Sequence, residues 1–116
     1  MRSVVVQGEL PPSDLVNLLA TAGVEDQGTA SYVYGNVRVL LCVGRRYFLR
    51  SNDFLGAVLL ATTDGSTQRI DVCSAGAGSG LLGIQLGAGQ RVEGDLLDAV
   101  LTVARERSLA CQEIQP

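Results

Sequence analysis

Histidine, lysine and tryptophan are absent from these 116 residues. Without histidine the chain lacks the commonest general base and the commonest metal ligand. Without lysine it has neither a Schiff-base amine nor the phosphate-gripping residue of a P-loop. Cys42, Cys73 and Cys111 are odd in number and far apart, with no CxxC pair, so neither a zinc site nor a thioredoxin-like motif can be assembled from them. Cys42 and Cys73 fall inside apolar patterns, where a thiol acts as a small hydrophobe. Aromatic residues are scarce as well: three Tyr and two Phe leave Val, Leu, Ile and Ala to build the core. No apolar run approaches the ~20 residues that span a bilayer. The opening Met1-Arg2-Ser3 leads into a short valine run broken by Gln7, unlike a signal peptide. These absences predict a cytoplasmic protein with no metal and no cofactor.

All nine positive charges are Arg, set against twelve acidic residues, for a net charge of −3. Arginine used to the exclusion of lysine, beside abundant Gly, Ala, Val and Leu, suggests a GC-rich bacterial or archaeal genome. The acidic balance repels phosphate backbones, so nucleic acid is not an expected partner.

Residues 3–7 read as a strand of β-branched valines. Pro11-Pro12-Ser13 announces a short helix with Ser13 as N-cap, a stripe of Leu15, Leu18, Leu19 and Ala22, and Gly23 as its stop. From residue 29 to 74 the pattern is an antiparallel meander. A hairpin turn sits at Gly35-Asn36, a bulge or bend at Gly44, and further turns at 51–53 and 64–66. In the glycine-rich stretch 75–89, the alternation of Leu82, Ile84 and Leu86 favours another strand. A long helix is predicted over 94–108, with Asp95 and Asp98 at its positive end and a broad face of Leu96, Leu97, Val100, Leu101, Val103 and Ala104. Residues 109–116 read as a frayed tail.

The predicted class is α+β, as one domain over residues 1–116. A curved antiparallel sheet of about six strands carries a short N-terminal and a long C-terminal helix on one face, in the order β-α-β-β-β-β-β-α. By element order alone this resembles half of the TATA-binding protein and the helix-grip folds, an architectural likeness that implies no function.

No residue set amounts to a catalytic signature, and a non-enzymatic protein is expected. Gly78, Gly80 and Gly83 spell G-x-G-x-x-G after a strand, the pattern that cradles a dinucleotide pyrophosphate. That role needs the third glycine inside a helix, which the following glycines disfavour at about 1 kcal/mol each. Arg45, Arg46 and Arg50, with Arg38, lie in a stretch free of acidic residues (27–52) and are candidates for an anion or partner patch. Strand alternation sends Arg45 to one face and Arg46 and Arg50 to the other. The competing account pairs these arginines with Glu93, Asp95 and Asp98.

The strongest signal concerns assembly. Val39-Leu40-Leu41-Cys42-Val43 and Ala57-Val58-Leu59-Leu60-Ala61 are continuous apolar runs, so each sends apolar groups to both sides of the sheet. Two helices cover only one side. The expected partner is therefore a second copy of the chain, as a homodimer or larger, through the uncovered face. The alternative is a small apolar ligand held between the sheet and the C-terminal helix.

Overall fold

A computed structural model describes residues 1–49, 52–75 and 82–115, with the side chains of 82–88 excepted. The elements are β1 (Arg2–Gln7), α1 (Pro12–Thr21), β2 (Glu25–Tyr34), β3 (Val37–Phe48), β4 (Asp53–Asp64), β5 (Thr67–Ala75), α2 (Leu82–Glu106) and β6 (Cys111–Ile114). The expected class holds: an antiparallel sheet of six strands with a short first and a long second helix. Its spatial order is β2-β3-β4-β5-β1-β6.

The sixth strand has a different source from the one expected. Residues 82–86 open α2, and the presumed tail supplies β6 against β1. Leucine alternation was the misleading signal, because tertiary packing overrides glycine's weak helix propensity. Gly89 shows why a small residue suits this helix: a methyl group there would lie 2.7 Å from Ser74 Oγ on β5. At the other end of α2, Leu109 N–H donates to Ala104 O (2.8 Å) and Ser108 N–H to Arg105 O (3.0 Å). This is a Schellman cap with Ser108, at φ 57°, in the position glycine normally takes. It turns the chain into β6, where Arg2 donates to both carboxylate oxygens of Glu113 (2.9 and 3.0 Å). The guanidinium holds that carboxyl below its usual range.

The first helix also begins differently. Pro11 is the N-cap and Pro12 the first helical residue, so Ser13 lies inside the helix. Proline fits there because its missing N–H would have had no partner in the first turn. The predicted stop is in place: Gly23 takes φ +74°, while Val24 N–H reaches Leu19 O at 2.8 Å. β3 runs unbroken through Gly44, and the irregularity sits opposite, between Asp26 and Gly28 of β2.

One continuous core joins both helices to one sheet face. Val4, Val6, Leu40, Cys42, Leu59, Ala61, Ile70 and Val72 meet Leu15, Leu18 and Leu19 of α1 and Leu96, Leu97 and Val100 of α2, all buried. Gln68 is the largest of three buried polar side chains among the described residues, the others being Ser3 and Thr63. Its Oε1 accepts from Leu10 N–H (3.0 Å), and its Nε2 donates to Leu10 O (3.3 Å) and Thr63 Oγ1 (3.1 Å), pinning the β1–α1 connection to the sheet. Among the described residues no helix is long and apolar enough to cross a membrane.

Candidate functional site: the uncovered face of the sheet

The strand register sets out the second face row by row. Tyr32, Val39, Thr62 and Arg69 form one row across β2 to β5; Ala30, Leu41, Leu60 and Asp71 form the next; Gly28, Val43, Val58 and Cys73 the third. At the end of the face Tyr47 pairs with Phe54. Their rings meet edge to face with centroids 5.2 Å apart, and the Arg45 guanidinium carbon sits 4.1 Å above the Phe54 ring. Arg45 is also paired with Glu25 at 3.4 Å. Val39, Leu41, Val58 and Leu60 are half-buried by their neighbours, whereas Val43, Tyr32, Tyr47 and Phe54 are exposed.

This face has two chemically distinct halves. Over β2–β4 it is apolar. Over β5 and β1 it carries a polar cluster in which Ser3 Oγ donates to Asp71 and Arg69 Nε donates to Asp71 Oδ1 at 3.0 Å. With Tyr32, Tyr47 and Phe54 counted, the apolar half presents on the order of 500 Å² to solvent, near the top of the range for the largest patch on a soluble monomer. Its aromatic and arginine rim has the residue types enriched where proteins meet.

The sequence-predicted arginines are not brought together. Arg46 points to the helix-bearing side, ion-paired with Asp95 and donating to Ala22 O at 3.3 Å. Arg45 points to the apolar side, and Arg50 lies outside the described residues. Arg38 is bonded to Glu9, its Nε 3.2 Å from Oε2. Asp95 and Asp98 lie well inside α2, roughly 20 Å from its start, so neither serves the helix dipole as expected. Glu93 instead fastens the end of β5, its Oε2 accepting from both N–H and Oγ of Ser74 at 3.0 Å each.

Gly78 and Gly80 of the glycine motif also lie outside the described residues, and Gly83 is in the first turn of α2. The motif's surroundings differ from those of a dinucleotide site. β5 and β6 are both antiparallel neighbours of β1, so α2 crosses over an intervening antiparallel strand, whereas that site lies between adjacent parallel strands. Among the described residues no group of three or more Cys, Asp or Glu could hold a metal ion.

The aliphatic side of α2 is packed against the sheet. An apolar recess of about 290 Å³ lies elsewhere, beneath the β1–α1 connection, between Leu10, Pro12 and Leu15 on one side and Val33, Leu40 and Ala61 on the other. The Arg38–Glu9 pair borders it. Leu10, Leu40, Ala61 and Gln68 in its lining are all buried. The Tyr47–Phe54–Arg45 cluster escaped sequence reading because its signal is the β3–β4 register, visible only once the turn is placed. No family model, curated protein or solved structure matches this chain.

Proposed function

We propose that this chain is a small cytoplasmic, non-enzymatic interaction module that self-associates by burying the apolar half of its uncovered sheet face against a second copy. One observation carries this reading: among the described residues both helices lie on the opposite face, while Val39, Leu41, Val43, Val58 and Leu60 form a contiguous patch with no covering element. Face-to-face packing of two such patches, with the rim of Tyr32, Tyr47 and Phe54 included, hides roughly 1,000 Å² in total, the lower bound of a specific interface. The two-fold arrangement is the natural one, because a single patch then serves both partners. Residues Arg69 and Asp71 mark the polar border at which the contact stops.

Light scattering at micromolar concentration tests the proposal. The wild type is expected as a dimer or larger, and Val43→Asp, which places an exposed carboxylate at the patch centre, is expected to lower the mass. A wild type that remains a clean monomer overturns it. The recess beneath the β1–α1 connection favours a second reading, a small apolar ligand. Chemical-shift changes confined to Leu15, Val33 and Leu40 on titration with short aliphatic or monocyclic compounds would support it.

A further inference from the structure

The two edges of the sheet are unlike. β6 is four residues long and carries Glu113, a short and charged edge of the kind that resists pairing with another chain. β2 is ten residues long, and its stretch Gly28–Tyr34 has no charge and no proline. Six of those seven residues are exposed, with Tyr32, Val33 and Tyr34 from 59% to 84% accessible. The acidic residues Glu25 and Asp26 are confined to the far end, beyond the irregularity at Asp26/Gly28. A long edge with an uncharged, exposed stretch of this kind is a template for strand addition.

We infer that the β2 edge is a second contact surface, distinct from the apolar face, on which β2 of another copy adds antiparallel about a two-fold axis at Ser31. The two-residue turn at Gly35-Asn36 makes Tyr34 and Val37 a hydrogen-bonded pair, so Thr29, Ser31 and Val33 direct N–H and C=O to the open side. Pairing centred on Ser31 joins Thr29 to Val33 of the other copy, Ser31 to Ser31 and Val33 to Thr29, for about six new backbone hydrogen bonds. The register is self-complementary. Tyr32 stands opposite Ala30 of the other copy and Tyr34 opposite Gly28, bulky against small. Glu25 and Asp26 stay outside the paired stretch, whereas parallel pairing would set them against their own copies. The short β6 cannot match seven residues, so growth by β2 on β6 is disfavoured and the contact closes on itself.

Ser31→Pro tests this, because the lost N–H faces the open edge and serves no internal bond. With both surfaces in use, this variant is expected to have half the wild-type mass by light scattering, and Thr29→Lys with Val33→Lys is expected to do the same. In the wild type the amides of Thr29, Ser31 and Val33 are expected to exchange at least tenfold more slowly at high than at low protein concentration. A Ser31→Pro mass equal to wild type, with concentration-independent exchange at those amides, overturns the inference. The face is judged separately: if it fails, Val43→Asp leaves the mass unchanged while Ser31→Pro yields monomer.

Discussion

Replacing Gly44 with alanine adds a single methyl group at a crossing of two strands. An ideal Cβ there falls 2.5 Å from Val24 Cγ1 and 2.6 Å from the Glu25 carbonyl oxygen. Ordinary contact needs nearly 1 Å more on both sides. Val24 is buried and Glu25 presents backbone, so neither can swing aside as a flexible side-chain tip would. Overpacking of this kind costs about 1–3 kcal/mol. The alanine recovers ~0.4–1 kcal/mol by stiffening the unfolded chain, since Gly44 needs no left-handed backbone. A net loss of about 1–2 kcal/mol follows, lowering the melting temperature by roughly 4–8 °C in a domain of this size. Gly94→Ala on α2, away from both proposed contact surfaces, is the control, as only the tip of the Arg2 side chain lies near its Cβ position, at 3.4 Å. Thermal unfolding of all three proteins at one concentration decides the matter. A Gly44→Ala melting temperature equal to that of the control would refute the claim that β3 needs glycine for close approach by β2.

Ser108→Gly should stabilise the fold by ~0.5–1 kcal/mol, because φ 57° costs serine what glycine does not pay; an unchanged denaturation midpoint would count against a strained cap. Gln68→Leu should destabilise by about 2–4 kcal/mol, since the buried Leu10 N–H and C=O lose their partner. A midpoint within experimental scatter of wild type would show that other groups satisfy them. Burial pushes the Cys42 and Cys111 thiols up from the ordinary value of 9.0. Above that pH the unfolded chain sheds protons that the folded one keeps, so this contribution, fully present below it, fades as pH rises. Stability measured from pH 8 to 11 should fall, and Cys42→Ala should fall less steeply. Parallel slopes would exonerate the thiol.

Most of the secondary structure was legible because its signals are local. Gly23 could be read as the end of α1, and Gly35-Asn36 as a turn, from the preferences of single residues. The apolar runs at 39–43 and 57–61 announced a sheet greasy on both sides, since alternation is a property of the strand itself. Residues 82–86 and 111–114 were misread for the complementary reason. Their states depend on packing: α2 pressed against β5 at Ser74, and β6 steered by the cap at Ser108 onto β1.

Chemistry divides along the same line. Composition alone removed histidine and lysine catalysis, because an absent side chain can do nothing in any fold. Which charges meet was a matter for the tertiary structure. Arg38 finds Glu9 across 29 residues and Arg107 finds Asp14 across 93, separations at which sequence carries no distance information. The strand order was equally hidden: β1 inserts between β5 and β6, placing the four-residue strand at one edge and the uncharged stretch of β2 at the other. An edge exists only once every strand has chosen its neighbours, so the sequence supplied the apolar residues while the fold decided which of them face water.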